Sequence, residues 1–115
     1  MTIQEIKSVY TAGLEAIVEN GADEVRKHNR KTDVNIFMER GCYWVQFDAP
    51  VHVHFGDGTI RKNVAEVTVT YWHNDDLKEE GTEYFDDPKA AMRFLKSAVR
   101  NPKRVLKKMD TYLED

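Results

Sequence analysis

The sequence predicts an α+β domain in which a four-stranded antiparallel meander sheet is covered on one face by three helices. The stretch from Asp33 to Trp72 contains four runs in which apolar residues alternate with other residues, which is typical of half-buried strands. The residues before it repeat apolar side chains at steps of three and four, as an amphipathic helix does. After it, Asp87-Pro88 and Asn101-Pro102 match the start of a helix, so one helix precedes the sheet and two follow it.

Each of the four predicted strands presents one apolar row to the interior. The alternating runs are Val34–Met38, Tyr43–Phe47, Val51–Phe55 and Val67–Tyr71, and the last strand is expected to extend from about Ile60 to His73. Arg40–Cys42 and Gly56–Gly58 are predicted turns, and Pro50, which has no amide donor, is predicted to separate the second strand from the third. The opposite face would carry Asn35, Phe37, Glu39, Trp44, Gln46, His52, His54, Glu66, Thr68, Thr70 and Trp72. We expect any unusual chemistry on that second face.

The N-terminal helix has a defined start and a less defined end. Thr2 and Glu5 form a capping box, in which both side chains satisfy free backbone amides at a helix start. Gly21 allows the helix to end there, as a C-terminal cap. The apolar spacing from Ile3 to Val25 instead favours a helix to about Lys27, with Gly21 costing about 1 kcal/mol relative to alanine. We predict the longer helix.

The segment 74–87 is acidic, and two helices follow it. Its charged residues are Asp75, Asp76, Glu79, Glu80, Glu83, Asp86 and Asp87, against Lys78 alone. It is predicted to be an exposed loop, with Thr82–Phe85 as a short edge segment. The buried positions predicted for the two helices are Ala91, Met92, Leu95, Ala98 and Val99 in the first, and Val105, Leu106, Met109, Tyr112 and Leu113 in the second.

Length, charge and cysteine content restrict the class of protein. The 115 residues fit a single α+β domain, 1–115, and the net charge of −3 predicts no overall attraction to nucleic acid or anionic membranes. The single Cys42 excludes an intramolecular disulfide. Met1–Glu5 has no basic start or apolar signal core, and no apolar run reaches the roughly 18 residues of a membrane span. We expect a cytoplasmic protein with no membrane partner.

A basic stripe is the most distinctive charge feature. Residues 89–108 contain eight lysines and arginines and no acidic residue. Lys89, Arg93, Lys96 and Arg100 are spaced by four, three and four, which places them on one helix face. The predicted partner-binding residues of this stripe are Arg93, Lys96, Arg100, Arg104 and Lys107. Such a stripe receives phosphates or an acidic protein surface; alternatively, it faces the acidic segment 74–87 of the same molecule, or only water.

Aromatic residues and a histidine pair lie on the face opposite the apolar rows. Phe37, Trp44 and Trp72 are predicted to share it and to form part of a protein-binding surface. Base stacking is less favoured, because the neighbouring residues are not basic. His52 and His54 project about 6.6 Å apart along one strand. They could share a metal ion if Asp57, Glu66 or His73 supplied a third ligand; otherwise they are half-exposed strand histidines.

No arrangement typical of an enzyme is present. Cys42 has no motif that links it to a histidine, and Gly56–Gly58 lacks the lysine and helix of a phosphate-binding loop. We predict a small non-enzymatic binding or regulatory protein without a cofactor, which acts by protein–protein contact, for example as an inhibitor of a nucleic-acid-handling enzyme. The alternatives are direct nucleic-acid binding through the basic stripe and a metal-dependent site at His52 and His54. The open face and long edge strands also leave room for a homodimer through the sheet.

Overall fold

The computed structural model describes residues 1–109, so the predicted inward positions Tyr112 and Leu113 lie outside the described residues. Over residues 1–109 the chain forms an antiparallel five-stranded sheet and three helices. The α+β class, the N-terminal helix and the two C-terminal helices are confirmed, whereas the predicted number of four strands is wrong. The elements are α1 (Ile3–Asn20), β1 (Glu24–Asn29), β2 (Val34–Arg40), β3 (Tyr43–His54), β4 (Ile60–His73), β5 (Asp76–Phe85), α2 (Pro88–Arg100) and α3 (Pro102–Lys108). The strands lie side by side in chain order, as a meander.

The interior lies between the three helices and the sheet face that carries the predicted apolar rows. Val45 and Val67 of that face are buried, and they belong to one cluster with Ile6 of α1, Leu95 of α2 and Leu106 of α3. Strand pairing aligns these rows across neighbouring strands. The predicted register is therefore correct for β2, for Tyr43–Phe47 and for Val67–Tyr71. It is wrong for the predicted inward row Val51–Phe55, which lies beyond the register shift in β3 and is not part of this cluster; the Phe55 ring instead contacts the ring of Tyr84, a residue that pairs with Glu66. The other face of the sheet, which we call the outer face, is left without a helix among residues 1–109.

Helix α1 is shorter than predicted, and β1 takes the place of its expected last turns. The capping box is present: Thr2 N–H donates to Glu5, and Glu5 N–H donates to the Thr2 hydroxyl. The helix ends at Asn20 because Gly21 adopts a φ of +80°, a value that favours glycine. The extension to Lys27 is therefore wrong. Residues 24–29 instead pair with β2, at the edge of the sheet.

Two of the predicted strands are one. β3 runs from Tyr43 to His54 without a break, and Pro50 lies inside it rather than between two strands. The pairing of β3 with β4 shifts register between Asp48 and Val51. A proline is tolerated at such an irregularity because the ladder does not need its missing amide donor.

The acidic segment is a strand and not a loop. Residues 76–85 form β5, which pairs with β4 along its length and includes the predicted edge segment Thr82–Phe85. Asn74 and Asp75 both have positive φ, as the tight turn before β5 requires. A strand at the edge of a sheet accommodates charged side chains, which also discourage pairing with another chain.

The C-terminal helices begin where the sequence predicts. Asp87 accepts hydrogen bonds from the amides of Lys89 and Ala90, and Asn101 accepts one from the amide of Arg104. A proline occupies the first position of each helix. None of the helices in residues 1–109 combines the length and apolar character needed to cross a membrane.

Candidate functional site

Three aromatic side chains form a continuous row across the outer face, which we call the aromatic ladder. Phe37 of β2 contacts Trp44 of β3 edge to face, with ring centroids 5.2 Å apart. Trp44 in turn packs on Trp72 of β4, with centroids 4.4 Å apart and ring planes 33° from parallel. The sequence predicted that these residues share a face, and the strand pairing brings them into contact.

The ladder is partly exposed, and one of its indoles makes a hydrogen bond to the sheet. Phe37 is buried, whereas both indoles are only half-buried. The Trp72 Nε1–H donates to the Thr70 hydroxyl at 3.0 Å. Thr68 bonds the hydroxyl of Thr82 at 3.0 Å. The buried hydroxyls of Thr68 and Thr70 are therefore both hydrogen-bonded, and the bond to Thr70 restricts the orientation of the Trp72 ring.

The guanidinium of Arg26 packs against the Phe37 end of the ladder. The Arg26 side chain of β1 lies 4.3 Å above the centroid of the Phe37 ring, a distance at which a cation is attracted to the ring face. Arg26 was not among the predicted site residues, because the sequence pattern placed it in a helix. An arginine in a short basic run is usually solvent-exposed, so its residue type alone did not indicate a contact with an aromatic ring.

Carboxylates surround the ladder on the outer face. Asp48 accepts a hydrogen bond from the Asn35 amide at 2.6 Å and stands opposite Glu66 across β3 and β4. Burial raises the pKa of Glu66, a hydrogen bond from Tyr84 opposes that effect, and the nearby Asp48 and Glu80 charges add to it. Two like charges directly opposite each other destabilise a sheet, so this part of the face is suited to a partner that brings positive charge.

A cleft lies at the Trp44–Trp72 end of the ladder. It has a volume of about 240 Å³ and lies between the β2–β3 turn and the β4–β5 turn. The two indoles, Glu39 and Asp75 line it. The sequence gave no prediction of this cleft, because residues far apart in the chain meet there only after the strands pair.

The predicted residues of the basic stripe are all exposed on α2 and α3. Arg93, Arg100, Arg104 and Lys108 line a groove of about 660 Å³ with apolar side chains such as Phe94. No side chain of the stripe makes a salt bridge within residues 1–109. The acidic segment contributes Glu83 to the same groove, so the two meet at one point without forming an ion pair.

His52 and His54 are both exposed near the end of β3. The His52 Nδ1 accepts a hydrogen bond from the Asn63 backbone amide at 3.3 Å. Asp57 accepts one from the Thr59 amide within its own turn. Within the described part of the chain, no three His, Cys, Asp or Glu side chains are grouped closely enough to hold a metal ion. The third ligand that the metal hypothesis requires is therefore not brought to this pair.

Comparison of the chain with protein-family models, with curated proteins and with solved structures found no match. Two surfaces of the molecule therefore remain as candidate binding sites: the outer face with its aromatic ladder, and the basic stripe with its groove. The prediction that the protein is not an enzyme stays a prediction.

Proposed function

We propose that this is a small non-enzymatic binding protein that docks another protein on the outer face of its sheet. The observation that carries the proposal is the aromatic ladder, in which two half-buried indoles stand on a face without a helix. Tryptophan is enriched among the residues that dominate binding energy at protein interfaces. Pre-oriented rings also lose little conformational freedom when a partner binds.

The carboxylates around the ladder favour a partner with a basic surface. Glu39, Asp48, Glu66 and Glu80 project from the outer face, on which Arg26 also lies. Complementary charge speeds encounter and excludes partners of the wrong sign. An enzyme that handles nucleic acids offers such a surface, so an inhibitor or regulator of one is the partner class that we propose.

Affinity capture with ladder variants tests this function. The wild-type protein and a Trp44→Thr/Trp72→Thr variant are immobilised, and the proteins retained from a native lysate are compared by mass spectrometry. Threonine is chosen because it favours strands. We expect a partner that the wild type retains and the variant loses, in nuclease-treated lysate as well.

A matched control separates docking from a general loss of apolar surface. Val18 on α1 is 84% exposed and lies away from the outer face, so Val18→Ser removes an exposed apolar side chain elsewhere. Circular dichroism and thermal unfolding establish that each variant is folded. Equal retention of every captured protein by the wild type and the ladder variant would contradict the proposal.

Direct binding of nucleic acid through the basic stripe is the second candidate. It is favoured by the exposed cations without salt bridges in residues 1–109 and by the groove that four of them line. Replacing Arg93, Lys96 and Arg100 together with glutamine should weaken binding to a fluorescent DNA or RNA oligonucleotide and flatten its salt dependence. The same substitutions at Lys27, Arg30 and Lys31, which are also exposed, serve as the control. An unchanged affinity after the first triple substitution would end this candidate.

A further inference from the structure

We propose that the cleft at the Trp44–Trp72 end of the aromatic ladder binds an arginine side chain of the protein partner. The inference rests on the proposed function and specifies what the partner inserts. Two indoles and two carboxylates, from Glu39 and Asp75, line the cleft. This combination offers a guanidinium both a ring face and oxygen acceptors.

The size of the cleft fits one side chain. Its volume of about 240 Å³ is below the range of roughly 300–1,000 Å³ in which drug-sized ligands bind. The guanidinium is planar, stacks on aromatic faces and donates five N–H groups in a fixed fork. The indole is the strongest aromatic partner for a cation. Shape and chemistry therefore both favour a single arginine.

The carboxylates of the cleft, Glu39 and Asp75, have no salt-bridge partner in the described part of the chain. In the same part of the chain, the cation–π contact of Arg26 involves Phe37, at the other end of the ladder. That contact shows how this face holds a guanidinium over a ring, and the two indoles offer a second position of the same kind.

The walls of the cleft are pre-organised by backbone contacts. The Trp72 amide donates to the Cys42 carbonyl at 2.8 Å, which ties the two turns together. The Gly41 amide donates to the Asp23 carboxylate at 2.7 Å. Asp75 lies in a tight turn with a φ of +65°. Binding to a cleft that is already formed costs less conformational entropy than binding to one that must first be ordered.

Tryptophan fluorescence reports on the cleft directly, because the chain has two tryptophans and both line it. The full chain is titrated with the peptide acetyl-Gly-Arg-Gly-amide into the millimolar range, since one side chain supplies few contacts. The same peptide with neutral citrulline in place of arginine preserves shape and removes charge. We expect a saturable emission change with the arginine peptide and none with the citrulline peptide.

Charge-neutral variants of the cleft give the second arm of the experiment. Glu39→Gln/Asp75→Asn should weaken binding of the arginine peptide by about fivefold or more. Glu15→Gln/Glu19→Gln on α1 changes the net charge equally, at exposed positions away from the cleft, and should leave binding unchanged. The absence of saturable binding to the wild type, equal binding of the citrulline peptide, or equal weakening by the α1 variant would each overturn the inference.

The outcome is separable from that of the proposed function. If capture of a partner depends on Trp44 and Trp72 but the arginine peptide does not bind, the docking face stands and the arginine inference is wrong. If the arginine peptide binds as expected but no protein depends on the ladder for capture, the cleft stands and the proposed function is wrong.

Discussion

Arg40, at the end of β2, links the C-terminal ends of two helices, and its replacement gives a sharp test of this fold. Its Nη1 donates to the carbonyl oxygens of Asn20 and Gly21, at 3.3 and 3.1 Å, at the end of α1. Its Nη2 donates to the carbonyls of Val99 and Arg100 at the end of α2, the latter at 3.0 Å. The last turn of α1 has no basic residue of its own. One guanidinium therefore complements the negative ends of both helix dipoles.

The size of the effect follows from the exposure of these four hydrogen bonds. A hydrogen bond to a charged group contributes about 1.5–3 kcal/mol when it is buried. Only the bond to Val99 is partly buried, and water can solvate the other three carbonyls in a variant. We expect Arg40→Met, which keeps an aliphatic side chain, to lower the free energy of unfolding by about 2–3 kcal/mol. In a domain of this size that corresponds to a melting temperature lower by roughly 10 °C.

Urea and thermal unfolding followed by circular dichroism measure this loss. Arg93→Met is the control, because Arg93 is exposed on α2 and makes no salt bridge within residues 1–109; its effect should stay within about 0.5 kcal/mol. Arg40→Lys should be intermediate, since one ammonium cannot reach four carbonyls in a planar fork. Equal unfolding midpoints for Arg40→Met and Arg93→Met would refute the reasoning.

Three further predictions concern packing, pH and helix capping. A Cβ on Gly13 would lie 2.6 Å from the buried Leu95 side chain, so Gly13→Ala should destabilise the protein by about 1–2 kcal/mol in urea unfolding despite its better helix propensity; unchanged stability would contradict this close approach of α1 to α2. Burial raises the pKa of Glu66, so folding favours its protonated form and ionisation at pH 7 lowers stability. Glu66→Gln should therefore raise the free energy of unfolding by about 0.5 kcal/mol at pH 7 and by nothing near pH 3, well below the ordinary pKa of glutamate, where the side chain is protonated in both the folded and the unfolded state; an equal gain at both values of pH would exclude this explanation. Asp87→Ala removes the acceptor at the start of α2 and should cost about 1 kcal/mol, whereas Asp87→Asn should largely retain the cap.

The parts of the fold that the sequence predicted are those with a buried row. Val45 and Val67 alternate with polar residues because one face of the sheet is covered, so a period of two appears in the sequence. The edge strand β1 has no covered face, and its Val25 is 38% exposed. Without a buried row, the one sign of a boundary was Gly21, and the apolar spacing that continues to Val25 outweighed it. The strand β5 was missed for a related reason. Its many acidic residues are tolerated at the edge of the sheet, but they interrupt the alternation of apolar and polar residues by which a strand is recognised in a sequence.

The sequence predicted which aromatic residues share the outer face, but it did not predict the contact with Arg26 or the cleft. The alternation of side chains between the two faces of a sheet placed Phe37, Trp44 and Trp72 on one face. This required only that the inward-facing residues of three strands be identified correctly. The contact of Arg26 with Phe37 depends on a strand that was predicted as helix. The cleft depends on the meeting of two turns more than 30 residues apart in the chain, and no local pattern encodes such a meeting.

The distribution of charge in the fold bears on both functional candidates. The net charge of −3 combines two layers of opposite sign: carboxylates such as Glu39 and Glu66 on the outer face, and the exposed basic stripe on α2 and α3. The negative net charge therefore does not exclude nucleic-acid binding by the helical layer. Dissolved salt screens charges that are more than about 10 Å away, so a ligand at one surface is affected mainly by the charges of that surface. The outer face is better suited to a protein partner, since its carboxylates repel phosphates and attract arginine. Raising the salt concentration should weaken binding at either surface, but only the helical layer should bind a polyanion.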